Sequence, residues 1–256
     1  MPFLTEDGRP LDELLLAQRP ADGDRFHVRA PFVYADPVTG RRYPVSTRPA
    51  GATPDGHDRV PGVTDLASVP MWLWSFIASY GRQSAPAILH DERSIVAAGL
   101  GDRRAALAQR RVDDRVFRTG LREQRVPLLR SWLMWAWVSA DREREFGGAA
   151  GWLLIVQAVL GAVVALAASV LAFWQPWWLV ALPVLVLASL PWRSLAPLVL
   201  VLTGSLAVLG PLVAVHLAAL APLRLIEAVV ELVSGGDPRD VLRPTVAPPV
   251  APPVEP

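Results

Sequence analysis

Cysteine is absent from the 256 residues, which excludes disulfides, thiolate metal ligands and cysteine nucleophiles. Lysine is absent as well: all 25 basic residues are arginine, so Schiff-base chemistry and a Walker-type phosphate loop both lack their lysine. A biased nucleotide composition of the coding genome accounts for that at least as well as selection for arginine. The N-terminal stretch MPFLTEDGRPLDELLLAQRP carries acids where a secretory signal carries basic residues, and it has no long apolar core. No G-x-S-x-G, H-E-x-x-H or Gly-rich phosphate loop occurs, which argues against serine hydrolases, zincins and nucleotide enzymes.

What is present is unevenly spread. Residues 1–146 hold 21 of the 25 basic and 19 of the 24 acidic residues. Between Gly147 and Arg224 the only charge is Arg193. The pattern predicts a soluble head over 1–146, a membrane part over 151–221, and an amphipathic segment with a Pro-rich disordered tail over 222–256. The first span is then expected to act as its own insertion signal.

In the head, Phe26, Val28, Val33, Tyr34, Tyr43 and Val45 flank D-P-V-T-G, which predicts a β-hairpin over Arg25–Val45. Leu11–Gln18 reads as a short helix. A loop rich in Gly, Pro and Asp over 46–62 leaves His57 solvated. Helices are expected over Pro70–Ser79, Ser84–Ala98, Asp102–Gln124 (capped by Asp102) and Pro127–Glu145, giving a small α+β head.

In the membrane part, 152–174 and 195–220 are each long enough to cross about 30 Å of hydrocarbon. The segment between them, 176–191, is short and interrupted by Pro183. A helix running through Arg193 in lipid would cost about 2.5–3.5 kcal/mol. Three spans with Arg193 in a tight turn are preferred, and two spans plus a re-entrant segment are the alternative. Trp152, Trp174, Trp177, Trp178 and Trp192 lie near the span ends, as interfacial aromatics should. Arg142, Arg144 and Arg193 fall on one side, which puts the head in the cytoplasm, although Arg224 weighs against it. Gly161, Ala165 and Ser169 form a small-residue stripe suited to close helix packing, within the chain or in a homo-oligomer. His216, inside the last span, reads as structural.

The residues that can carry chemistry lie in Thr64–Asp91, TDLASVPMWLWSFIASYGRQSAPAILHD. His90 beside Asp91 pairs an imidazole that moves protons near neutral pH with a carboxylate that can orient it or hold a cation. Asp65 and Ser68 precede Pro70, where turn closure and helix capping explain them well. Asp113 or Asp114, in V-D-D-R-V-F, would fix the imidazole's tautomer if the next helix ran antiparallel. The competing account is that these acids pair with arginines on solvated helix faces. Residues 103–130 carry nine Arg against three acids, which suits an anionic-lipid surface or a salt-bridged face. No nucleic-acid recognition motif accompanies that charge, so no nucleic-acid partner is expected.

The run T-D-L-A-S-V-P-x-W-L-W, then A-x-L-H-D, D-R-V-F and W-L-M-W-A-W-V, resembles a phage- and prophage-associated family, domain of unknown function 1353, over roughly residues 25–147. Members of that family are typically soluble, and this chain departs by adding apolar spans. The H-D pair followed by an Asp and a Phe on a later helix is also similar to the secreted A-two phospholipases. That resemblance implies His90 as the water-activating base, Asp91 as a calcium ligand and Asp114 as the support of the imidazole. Asp65 and nearby carbonyls would complete the calcium's oxygen ligands. Ser94 stands where these families carry Tyr, and there is no Gly-rich calcium loop. Two functions are therefore expected to compete. One is a membrane-anchored, non-catalytic or degenerate phage-type module. The other is a calcium- or zinc-dependent hydrolase of phospholipid or cell-envelope ester or amide.

Overall fold

The computed structural model describes residues 2–18, 25–48, 60–66, 77–78, 80–238 and 241. His57, Ser68, Pro70, nearly all of the helix expected over Pro70–Ser79 and the tail from Arg243 lie outside them. The chain falls into two compact units, one comprising Met1–Gly99, Thr119–Val126 and His216–Pro256, the other Leu100–Arg118 and Pro127–Val215.

Among the described residues of the first unit, six short strands form two antiparallel sheets. β1 (Phe3–Thr5), β4 (Phe32–Ala35) and β5 (Arg42–Val45) make one, in the order β1-β4-β5. β2 (Leu16–Gln18), β3 (Phe26–Val28) and β6 (Val63–Thr64) make the other, in the order β2-β3-β6. The alternation expected of a half-buried strand is visible: Phe32, Tyr34, Tyr43 and Val45 are buried while Val33 and Pro44 face outward. Tyr34 lies opposite Tyr43, and Phe3 packs against Tyr34 with ring centroids 4.7 Å apart and the rings tilted by 44°. The D-P-V-T-G turn is held by Asp36, whose carboxylate accepts from Val38 N at 3.1 Å and Thr39 Oγ1 at 2.6 Å.

Two expectations are corrected. Phe26–Val28 is not part of the β4–β5 hairpin but pairs with β2 and β6. Leu16–Gln18, expected to be helical, is a strand: its apolar run is too short to offset helix nucleation, and β3 supplies its backbone partners.

Among the described residues, six α-helices follow. α1 spans Ser84–Ala98 and α2 spans Arg103–Glu123. Asp102 caps α2, its Oδ2 accepting from Ala105 N at 2.8 Å. α3 (Leu128–Phe146) and α4 (Gly148–Leu171) form an antiparallel hairpin. The turn is tight: a Cβ on Gly151 would sit 2.0 Å from the Glu143 carbonyl oxygen, so only glycine fits there. Arg118 of α2 lies over the rings of Trp132 (4.1 Å) and Trp135 (5.0 Å) of α3. Burial, then repulsion from Arg115, holds its guanidinium below the usual arginine range.

After α4 the chain turns back through a 3-10 turn (Pro176–Val180), α5 (Ala181–Ser189) and a second 3-10 turn (Leu190–Leu195). Arg193, at φ 52 and ψ −114, breaks the helical path before α6 (Ala196–Ser234). Gln157 of α4 pins the returning segment: its Nε2 donates to Ala188 O and its Oε1 accepts from Trp192 Nε1, both at 2.8 Å. The start of α6 then joins Leu154 and Ala158 in a core with Ala136, Leu198, Val199 and Leu202. Thr203 packs into the space left by Gly161, so that glycine's close approach is used within the chain.

Candidate functional site

α1 is buried all round over its first half, Ser84–Leu89, and again at Ser94 and Ala97, and presents His90, Asp91, Glu92 and Arg93 along its middle. The two carboxylates reach the same short stretch of chain. Asp91 Oδ2 accepts from Thr64 Oγ1 at 2.5 Å, and Glu92 Oε2 accepts from Gly62 N at 3.0 Å. Thr64 Oγ1 in turn accepts from Leu66 N at 2.8 Å. β6 and the residues around it are therefore fastened to α1 by side chains, at both ends of the strand.

That fastening demands unusual backbone. Gly62 has φ +71, and a Cβ there would lie 2.3 Å from Arg48 N. Leu66 has φ 66 although it is not glycine, a conformation costing about 1–2 kcal/mol that persists where surroundings enforce it. Leu66 is buried, while Asp65 just before it is exposed. The left-handed residue thus lies inside while the residue before it lies at the surface.

His90 is half-buried, and its carbonyl accepts from the buried Ser94 Oγ at 2.7 Å. Ser94 thus serves the helix backbone from inside the packed face. Arg93 lies 5.4 Å from the centre of the Tyr43 ring, so α1 is also held to β5.

Asp114 has a different environment, in the second unit. Its carboxylate is fully buried, accepts from Ser139 Oγ at 3.1 Å and forms an ion pair with Arg142 Nη1. Arg142 also donates to Glu143 Oε1 from Nη2 at 2.8 Å, and Arg111 reaches the same oxygen at 3.2 Å. Two acids and two arginines form one chain of charge between α2 and α3, with Asp114, Arg142 and Glu143 almost wholly out of water.

Of the residues singled out from sequence, Asp65, His90 and Asp91 belong to the first unit and Asp114 to the second. Thr64, Glu92, Ser139, Arg142 and Glu143 were missed. Thr64 had one sequence signal, a hydroxyl next to the Asp of T-D-L; Glu92, Arg142 and Glu143 had none beyond charge, and Ser139 had none. Among the described residues, no three His, Asp or Glu side chains converge in an arrangement suited to a metal ion.

The arrangement can clamp a loop, with Asp65 exposed and His90 half-buried beside it. Residues 59–138 match a family described as a protein of unknown function, DUF1353. That stretch contains both clamp carboxylates, Thr64 and Asp114, and ends inside α3. No curated protein and no solved structure matches the chain.

Proposed function

We propose that this chain is a membrane-anchored, phage-derived module of that family in which the His-Asp pair is structural and the site non-catalytic or degenerate. One observation carries the reading: Asp91, the carboxylate beside His90, is engaged by Thr64, while its neighbour Glu92 holds Gly62. A carboxylate spent on a threonine hydroxyl fastens a loop, and the buried Ser94 behind it supports packing rather than substrate.

The membrane anchor is supported by where apolar surface lies. α4 and the segment Pro176–Ser234 are 24 and 59 residues long and apolar enough to cross a bilayer. On α4 the buried residues Gly151, Leu154, Ala158, Gly161, Ala162 and Ala168 fall on one stripe. The rest of its surface exposes Leu153, Val156, Val159, Leu160, Val163 and Leu166. A soluble core helix would bury that surface, whereas lipid would solvate it. The path out along α4, back along 176–195 and out again along α6 favours a multi-pass anchor with three crossings. Trp152 sits near the start of α4 and Trp174 just past its end, and the 24-residue helix extends about 36 Å at 1.5 Å per residue, enough for one bilayer crossing. Trp192 bonds to Gln157, in the first half of α4, which supports Arg193 lying on the same side as Arg142 and Arg144, as a cytoplasmic head requires.

Lipid contact through the Arg-rich stretch is narrower than its charge suggested. Arg103 caps the α3 carbonyls, Arg111 pairs with Glu143, and Arg118 sits on two indoles. Exposed Arg104 and Arg130 are the better candidates for anionic headgroups.

The hydrolase reading keeps one specific support, the exposed Asp65 next to the strained Leu66. The deciding experiment is calcium and zinc titration of the full chain in detergent, beside His90→Ala and Asp91→Asn, read by thermal unfolding and by release of fatty acid from phosphatidylcholine. The module reading expects a lower Tm in Asp91→Asn and no metal-dependent stabilisation or release in any variant. Metal-dependent release that disappears in His90→Ala would overturn it.

A further inference from the structure

α6 is longer than a membrane crossing requires. Its 39 residues extend about 58 Å, nearly twice the hydrocarbon thickness. The charge-free run that begins after Arg193 ends at Leu223, and every charge on α6 follows it: Arg224, Glu227 and Glu231. These are spaced three and four apart, so they share one stripe, and Arg224 Nη1 pairs with Glu227 Oε2 at 3.0 Å. The other side carries Leu225, Ile226, Val229, Val230 and Val233, which at 100° per residue cover an arc of about 140°. All of it faces solvent, from 52% exposure at Val229 to 82% at Val233.

We infer that Leu223–Ser234 is an in-plane amphipathic helix that lies on the headgroup region of the bilayer α6 has just crossed, turning at Pro222. The inference rests on the membrane-spanning reading above. Three features select lipid as the occupant. The apolar face is too broad for the narrow seam of a paired helix and suits insertion at an interface. The segment is continuous with the span, so it emerges at the bilayer surface. Pro222 withholds the backbone N–H that would bond Ala218 and is the residue at which such a helix bends most cheaply. The polar stripe carries one arginine against two glutamates, so the fitting surface is a zwitterionic headgroup layer rather than an anionic one.

The absence of cysteine allows nitroxide labels at single introduced cysteines. The full chain in phosphatidylcholine vesicles is labelled in turn at Ile226→Cys, Val229→Cys, Val233→Cys, Glu227→Cys and Glu231→Cys. Val163→Cys and Leu212→Cys report on the spans. The expected result is several-fold greater access of oxygen than of a water-soluble nickel chelate at 226, 229 and 233, with the reverse at 227 and 231. Nickel reaching both faces while positions 163 and 212 stay inaccessible to it overturns this inference and leaves the spanning reading standing. Nickel reaching 163 and 212 overturns the spanning reading and this inference together. Spin–spin broadening confined to the apolar face identifies a second copy as the occupant and overturns the lipid assignment. Insertion only after anionic lipid is added overturns the zwitterionic preference.

Discussion

Arg142 of α3 and Asp114 of α2 form an ion pair whose side chains are 2% and 0% exposed, with Ser139 donating to the same carboxylate oxygen. Neither charge can be relieved by water if the other is removed. Arg142→Met is therefore expected to destabilise the protein by about 3–5 kcal/mol. Combining it with Asp114→Leu should restore part of that loss, because Asp114 no longer strands its charge, while Glu143 keeps only Arg111 as its partner. Chemical denaturation of the two variants in detergent checks both halves.

The clamp between α1 and β6 makes a smaller but more local prediction. Thr64→Val keeps the shape and deletes the hydroxyl that serves both Asp91 and Leu66. A loss of about 1–3 kcal/mol is expected, with the amide of Leu66 exchanging far faster with solvent. Unchanged exchange at Leu66 would mean that the hydroxyl is not what holds the left-handed turn.

Gly151→Ala tests the α3–α4 hairpin. The added methyl meets the Glu143 carbonyl at 2.0 Å, a backbone atom that cannot rotate away. The helices must separate, at a cost of at least about 1–3 kcal/mol. Gly204→Ala, where nothing lies within 4 Å, is the matching substitution and should leave Tm nearly unchanged.

Acid sensitivity is expected at the first turn of the chain. Hydrogen bonds from Thr5 and then Arg9 hold the Asp7 carboxyl below the usual carboxylate range. A group whose folded pKa is depressed stabilises above its unfolded pKa and stops doing so as pH falls through the folded one. Exchange of the Gly8 amide, which donates to Thr5 O at 3.0 Å, should quicken in that acid window. Asp7→Asn should abolish the pH dependence.

Local signals made part of this legible in sequence. α1 begins and ends where its apolar spacing placed it, Asp102 caps α2, and D-P-V-T-G turns β4 into β5. The two sheets were not legible, because β1, β2 and β6 are two or three residues long and find partners far along the chain. The same distance hid the clamp. Asp91 announces itself beside His90, but its partner Thr64 lies 27 residues earlier. Asp114 could be read as an orienter of histidine or as a solvated acid. Its ion pair with Arg142, 28 residues away on another helix, is a contact that no local pattern encodes.

The family match stops at Val138, one residue short of Ser139 and four short of Arg142, in the middle of an unbroken helix. A fragment cut at that border would keep Asp114 and discard the hydroxyl and guanidinium that neutralise it. The border drawn by similarity is therefore not a place where the polypeptide can be divided. Any excision meant to isolate the shared region must carry α3 through to the glycine turn, and with it the beginning of the apolar helices.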